Sequence, residues 1–335
     1  MTDCTHSRAQ KFGKTETGKQ RFRCLDCRKT FTDDTSKLNG MRIGLDKAAQ
    51  VVRCFAEGVG VRGIVRLTGA SKNTVLDLLC MIGQRCKLFL EDAIVDVPVT
   101  DVQADELWSF VAMKDKTRKR LSLPPTFVGD KYCFVGMERH HKLVLAWHLG
   151  ARDIDQGREF LLKLNRACWQ NKFQLTTDGW MPYKRLVPHV LRRADLGIVI
   201  KIYGKSDDTV RYSPAPIIEV KYKAGWGQPD LDRMCSSHIE RGNLTIRMGS
   251  KRFTRLTNGF SRKLFNHEAA LGLHFACYNF ITRHTTLKTT PAVAAGIADD
   301  RWTAEQLIEM TAAYKAPNEP TAFERFLDKL PDDED

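Results

Sequence analysis

VQADELWSFVAM, residues 102–113, begins the part of the chain that decides the fold, and its β-branched and aromatic residues are typical of a strand. Two further runs of this kind follow at 131–137 and 143–149, and turns separate the three runs. Together they predict an antiparallel meander. A helix with one apolar side is predicted from about Asp155 to Cys168, and strand character returns at 172–177.

This order of three strands, a helix and a fourth strand predicts an α/β fold of the ribonuclease-H-like kind, a mixed sheet with helices, within residues 96–290. In that topology the first and fourth strands are central neighbours. Asp105 lies on the first strand and Asp178 directly follows the fourth, so we expect the two carboxylates to meet. Glu106 and Asp101 are alternatives to Asp105, and a simple Asp-Gly turn is the alternative for Asp178.

A third carboxylate is predicted on a helix around residues 237–247. Two sets of residues occupy different faces of that helix by their spacing. The polar face carries Glu240, Asn243 and Arg247, and the other face carries Ile239 and Ile246. One face would therefore pack while the other presents a carboxylate together with an amide and a cation that suit DNA.

Three carboxylates around one point are typical of metal-dependent phosphoryl transfer. Two Mg²⁺ or Mn²⁺ ions favour hard oxygen ligands and can assist both the attacking and the leaving oxygen of an in-line displacement. We expect Asp105 to bridge both ions and Asp178 and Glu240 to hold one each.

The amino-terminal segment, residues 1–38, contains a candidate structural zinc site. Two close pairs of ligands suit tetrahedral Zn²⁺: Cys4 and His6, then Cys24 and Cys27. Cations and aromatics surround the second pair, which is typical of a zinc ribbon that faces phosphates, and the candidate DNA contacts are Arg21, Arg23 and Arg28. A different fourth ligand, an unmetallated basic arm and a redox pair at Cys24 and Cys27 are the alternatives.

Residues 39–95 are predicted to form a helix-turn-helix domain. Helices are expected at 45–58 and 61–68, and Ser71 is expected to cap a third helix. The apolar positions of the third helix follow helical spacing: Val75, Leu78, Leu79 and Ile82. Its start would direct Lys72 and Asn73 at DNA. A plain packing unit is the alternative, and residues 91–99 are predicted to be a linker.

Charge supports a polyanionic partner. The 335 residues include 53 Lys and Arg against 40 Asp and Glu, which gives a formal net charge of +13. A basic loop at 114–120 offers Lys119 and Arg120 as phosphate contacts, and a solvated turn is its alternative. The sequence predicts a cytoplasmic protein without membrane spans. Seven cysteines are expected to be buried thiols: Cys54, Cys80, Cys86, Cys133, Cys168, Cys235 and Cys277.

Five segments carry a resemblance to a known family. They are residues 20–27 (QRFRCLDC), the helix-turn-helix, residues 105–108 (DELW), residues 177–180 (TDGW) and residues 239–247 (IERGNLTIR). In these segments the chain resembles the DDE transposases of bacterial insertion sequences, most closely those of the insertion sequence 1 family. The resemblance implies a ribonuclease-H-like fold, catalytic acids at Asp105, Asp178 and Glu240, and cutting and joining of double-stranded DNA at terminal inverted repeats. A homo-oligomer on DNA is expected.

The chain departs from the family pattern in two places. The spacing between Asp178 and Glu240 is long, with an apparent insertion at about 204–231 that predicts either an extra hairpin on DNA or a surface loop. The ribbon lacks the usual pair of cysteines at its start. A small closing helix and an acidic tail are expected within 291–335. Two alternatives to a transposase remain: a zinc-dependent transcriptional regulator without catalysis, and a non-transposing nuclease of the same fold.

Overall fold

The structure is a computed structural model that describes residues 8–14, 20–32, 41, 43–168, 171–204, 215–254 and 258–315. The chain divides into two compact units, with the boundary between Lys47 and Ala48. The predicted helix-turn-helix helices after this boundary and the predicted catalytic segment therefore belong to the same compact unit.

The amino-terminal unit contains a small antiparallel sheet in the order β1 (Ala9–Lys14), β2 (Gln20–Cys24) and β3 (Thr30–Thr32). The rings of Phe22 and Phe31 stack at 6.0 Å between centroids. The aromatics that flank the Cys24 to Cys27 turn are thus in contact, but both rings are only half-buried.

Three helices follow in the chain, and their bounds follow the sequence signals: α1 (Leu45–Ala56), which contains the unit boundary, α2 (Val61–Thr68) and α3 (Lys72–Ala93). The expected glycine, Gly58, follows α1 with a positive φ of 71°. The Ser71 side chain accepts the Thr74 N–H at 3.1 Å, so the predicted cap of α3 is confirmed. The four apolar positions predicted for α3 are all buried.

The central sheet has six strands in the order β6-β5-β4-β7-β8-β9. Its strands are β4 (Asp101–Val111), β5 (Gly129–Glu138), β6 (Val144–Gly150), β7 (Phe173–Thr177), β8 (Ala194–Tyr203) and β9 (Ile217–Trp226). β4, β5 and β6 form the predicted antiparallel meander, while β7 runs parallel to β4 on its other side. The mixed α/β class and the central pairing of the first and fourth strands are confirmed.

Helices flank the sheet. They are α4 (Asp115–Arg120), α5 (Ile154–Ala167), α6 (Met181–Val190), α7 (Ser237–Gly249) and α8 (Leu264–Ala276), followed by α9 (Pro291–Ala294) and α10 (Ala304–Thr311). The apolar side predicted for α5 is fully buried. A 3₁₀ turn lies at Lys251–Phe253, and α8 continues as a π-helical turn at Cys277–Ile281. Among the described residues no helix is long and apolar enough to span a membrane.

α3 and α8 approach each other at two glycines. A Cβ on Gly83 would lie 2.0 Å from the Ala269 carbonyl oxygen, and a Cβ on Gly272 would lie 2.3 Å from the Gly83 carbonyl oxygen. Backbone therefore meets backbone at this crossing, and no side chain fits between the helices.

Several local predictions need correction. The basic segment 114–120 is not a loop, because α4 forms there with an Arg118 to Asp115 ion pair at 2.8 Å and its cations in the last turn. The predicted linker begins too early, because α3 continues to Ala93 and its last turn binds α5 through the Lys163 to Glu91 ion pair at 2.6 Å.

The cysteine prediction is only partly correct. Three of the seven thiols expected to be buried are half-buried: Cys54, Cys80 and Cys235. Residues 217–226 of the apparent insertion are not a surface loop, because they form β9 at the edge of the central sheet. The closing segment contains two short helices, α9 and α10, and the acidic tail, 332–335, lies outside the described residues.

Candidate metal centre

The parallel pairing of β4 with β7 brings the first two predicted acids together. Val102 pairs with Leu175 and Gln103 with Thr176. Two further steps in this register bring Asp105 beside Asp178, which directly follows β7. Sequence positions far apart in the chain thus meet at the centre of the sheet.

Asp105, Glu106 and Asp178 form an acidic cluster that can hold a metal ion. Each of the three offers one carboxylate oxygen, and these oxygens lie within 4.8 Å of one another. Glu106 and Asp101, the two alternatives to Asp105 on β4, have different partners in the structure. Glu106 joins the cluster, whereas Asp101 binds Arg233 at 2.6 Å and His140 at 3.3 Å instead.

Burial and mutual repulsion act on this cluster. Burial, together with the charges of Asp178 and Glu240, raises the pKa of Asp105 to about 6, although the Glu106 backbone N–H partly offsets this. Burial, with the charge of Asp178, raises the pKa of Glu106 to about 7 against the opposing effects of Tyr183 and Arg152. The ionised carboxylates are therefore poorly stabilised by solvent and by the neighbouring acids, and a bound cation would relieve this.

Arg152 lies between two of the acids. Its guanidinium donates to Glu106 Oε2 from Nε at 3.1 Å and from Nη2 at 2.9 Å, and Nη2 lies 3.5 Å from Asp178 Oδ2. The same group lies over the rings of Trp180 and Tyr132, at 5.5 and 5.7 Å from their centroids. Arg152 therefore stabilises Glu106, whose side chain is only 1% exposed, in its ionised form.

Tyr183 completes the environment of Glu106. This tyrosine is fully buried on α6, and its hydroxyl donates to Glu106 Oε1. Sequence reasoning missed both Arg152 and Tyr183. Arg152 lies in the short turn between β6 and α5, and no pattern in that turn distinguishes it from a solvent-exposed arginine.

α7 lies against β4 at the cluster. The Ile239 N–H donates to Gln103 Oε1 at 2.9 Å, and a Cβ on Gly242 would lie 2.8 Å from Met137 Cε. Asn243 then donates from Nδ2 to Asp105 Oδ2 at 2.7 Å. The helix therefore supplies an amide that orients the Asp105 carboxylate.

The polar face predicted for α7 differs from the observed one. Glu240 is exposed, but Asn243 is buried at 7% exposure and Arg247 is half-buried. Glu240 binds Lys201 of β8 and accepts the Ser236 hydroxyl at 2.6 Å. Its carboxylate is not part of the acidic cluster defined by ligand distance, although its charge acts on Asp105. The role of Glu240 as a metal ligand stays a prediction, as do the DNA contacts of Asn243 and Arg247.

The predicted zinc site is only partly described. Cys24 is buried at the end of β2, where its N–H donates to the Lys29 carbonyl at 2.9 Å, and Cys27 is half-buried in the turn that follows. Cys4 and His6 lie outside the described residues. Arg21 and Arg23 lie over the Phe12 ring, at 5.9 and 5.3 Å from its centroid.

The remaining predicted DNA contacts are accessible. Lys72 and Asn73 are exposed at the start of α3, Lys119 and Arg120 at the end of α4, and Arg28 after β2.

A search of protein-family models and a search of curated proteins find no match to this chain.

Removal of the Asp105 charge is expected to stabilise the metal-free protein at alkaline pH. Because the pKa of Asp105 in the folded chain, about 6, exceeds the usual 3.8, the folded state binds a proton more tightly than the unfolded state. This contribution favours folding below pH 4 and is lost as the pH rises through 6. In EDTA, Asp105→Asn should therefore exceed the wild type in unfolding free energy by about 2 kcal/mol at pH 8 and match it at pH 4. Urea unfolding at the two pH values measures the difference, and equal gains at both would contradict the assignment.

Arg152→Ala is expected to destabilise the protein more at pH 8.5 than at pH 6. The Glu106 carboxyl, with a pKa of about 7, would lose its cation, so its ionisation would become more costly. Because the Arg152 side chain is 38% exposed, we expect a loss of about 1 to 2 kcal/mol. Glu106→Gln in the same chain should recover most of it. A double variant as unstable as Arg152→Ala alone would show that the arginine acts by packing.

Proposed function

We propose that this protein is a DNA transposase that cuts and joins DNA by metal-dependent phosphoryl transfer. The observation that supports this most directly is the meeting of Asp105 and Asp178 across two central strands, with α7 laid beside them. The mixed six-stranded sheet with flanking helices is compatible with a ribonuclease-H-like fold, which we include in the proposal.

The carboxylates fit a divalent cation. Asp105 accepts hydrogen bonds from the Glu106 N–H and the Asn243 amide, and Asp178 accepts one from the Trp180 N–H at 2.9 Å. A carboxylate oxygen that accepts one hydrogen bond still has a lone pair for a metal ion. Bound Mg²⁺ or Mn²⁺ would supply electrophilic activation of the attacking water or hydroxyl and of the leaving oxygen.

The other residues of the centre orient the carboxylates of Asp105 and Asp178 and balance part of their charge. Asn243 holds the Asp105 carboxylate in one orientation, and the Trp180 N–H does the same for Asp178. Arg152 balances part of the negative charge from the side of Glu106. Glu240, held by Lys201 and Ser236 at the rim, is the third acid in the proposal.

The proposal that DNA is the partner rests on the net charge and on exposed basic and polar side chains. The net charge of +13 favours a polyanion. We propose that the start of α3 and the zinc ribbon bind the terminal inverted repeats, and that Lys119 and Arg120 contact phosphates near the centre.

The test is a strand-transfer assay with the full chain. Labelled DNA ends with the inverted repeats that flank the coding sequence are incubated with a plasmid target and Mg²⁺ or Mn²⁺. We expect joined products that disappear with EDTA. Cleavage without joining would favour a nuclease, and end binding without metal-dependent cleavage would favour a regulator; either result would overturn the transposase proposal.

A further inference from the structure

β9 is an exposed edge of the central sheet. It pairs with β8 on one side, and among the described residues no strand pairs with its other side. Nine of its ten residues are exposed. Long exposed edges with unpaired backbone groups are rare in monomers, because they pair readily with another strand.

The side chains of β9 separate into two different rows. Ile218, Val220 and Tyr222 alternate along one face and are 67%, 37% and 47% exposed. The other face carries charged residues: Glu219, Lys221 and Lys223. Lys221 Nζ lies 3.3 Å from Glu219 Oε2, and both of these side chains are exposed to solvent. An apolar row of this exposure on an open edge indicates a binding surface.

The sequence of β9 is complementary to itself in one antiparallel register. With a two-fold axis at Val220, that residue faces the partner's Val220 and Ile218 faces the partner's Tyr222. Glu219 faces the partner's Lys221 and Lys221 faces the partner's Glu219, so each dimer contains two opposite-charge pairs. A register centred one residue later would place Lys221 opposite the partner's Lys221, which is unfavourable.

We propose that β9 pairs antiparallel with β9 of a second copy of this chain, centred on Val220, so that two central sheets join edge to edge. Such a contact is two-fold symmetric and satisfies the backbone groups of both edges. It does not depend on the proposed function, because it needs neither DNA nor a metal.

The contact would lie beside the third predicted acid. Val220 pairs with Lys201 of β8, and these two side chains share a face of the sheet. Lys201 binds Glu240. Dimer formation would therefore bury the apolar row next to the group that holds Glu240.

A charge exchange tests the register. Analytical ultracentrifugation of the full chain without DNA should show a concentration-dependent dimer. Glu219→Lys and Lys221→Glu should each weaken dimerisation about tenfold, because both charge pairs become repulsive. The double variant Glu219→Lys/Lys221→Glu restores opposite charges and should restore the dimer. Lys223→Glu is the matched control. Lys223 lies on the same face but opposite the partner's Ile217, so this substitution should weaken dimerisation less.

Cysteine cross-linking gives a second readout. Val220→Cys should form a disulfide-linked dimer under mild oxidation, since directly opposed residues in a sheet satisfy disulfide geometry. Mass spectrometry identifies the peptide joined through residue 220. The proposal would be overturned if the Val220→Cys variant stayed monomeric and did not cross-link at this position. It would also be overturned if the single charge reversals had no effect on the dimer. The proposal would also be wrong if Glu219→Lys left dimerisation unchanged but strengthened DNA binding, since β9 would then be a nucleic-acid surface.

Discussion

Asp105→Asn is expected to reduce metal-dependent strand transfer by about three orders of magnitude or more, equivalent to about 4 kcal/mol in the activation barrier. The substitution removes one negative charge from the acidic cluster and keeps the shape of the side chain. The amide oxygen can still accept the Glu106 N–H, and Asn243, whose buried Oδ1 has no hydrogen-bond partner among the described residues, can turn its amide to accept from the new NH₂ group. Asp178→Asn should have a similar effect. Binding to labelled ends, measured by gel shift in EDTA, should change less than threefold, because neither residue belongs to the proposed end-binding surfaces.

The matched control is Asp300→Asn, which makes the same chemical change on an exposed loop. It should retain full strand transfer. Loss of activity in Asp105→Asn cannot be attributed to unfolding if this variant is, as expected, more stable than the wild type in EDTA at pH 8. Strand transfer retained in Asp105→Asn would contradict the proposed function.

Gly83→Ala is expected to lower the free energy of unfolding by about 3 kcal/mol or more. The added methyl group would lie 2.0 Å from the backbone oxygen of Ala269, far inside van der Waals contact, and a backbone cannot rotate away as a side chain can. The two helices would have to separate along the crossing of α3 and α8. Chemical unfolding followed by circular dichroism measures the loss.

Gly44→Ala provides the comparison for Gly83→Ala. A Cβ at Gly44 would meet no atom within 4 Å, and its φ is not in the left-handed region. The two substitutions have the same chemistry and should differ by several kcal/mol. Equal stabilities of the two variants would mean that the backbones of α3 and α8 do not meet at Gly83.

Most elements were predictable because the local patterns agree with the tertiary structure. The bounds of α2 match the prediction and the cap at Ser71 forms. β4, β5, β6, α5 and β7 follow in the predicted order, although α4 lies between β4 and β5. In α4 the local prediction failed, because a run of cations indicates a solvated loop unless the Asp115 to Arg118 pair is recognised.

The composition of the candidate centre was less predictable. Asp105 and Asp178 were identified because Asp105 lies within one recognisable strand pattern and Asp178 directly follows another. Glu106, Arg152 and Tyr183 were not placed together, because they come from three elements and no local spacing relates them. Lys201 holds Glu240 through a contact between β8 and α7, which is likewise invisible in the sequence.

Local patterns in the sequence were therefore enough to predict the order of the strands and the helix from β4 to β7, the central positions of Asp105 and Asp178, and a basic charge that suits a polyanion. These follow from period, capping and composition, which act over a few residues. Tertiary structure alone decided that Asn243 turns inward to Asp105, that Arg152 lies between Glu106 and Asp178, and that β9 ends the sheet with an exposed apolar row. The physical reason is that side-chain partners across a sheet depend on the register of strands and the approach of helices, and those are set by packing between distant segments.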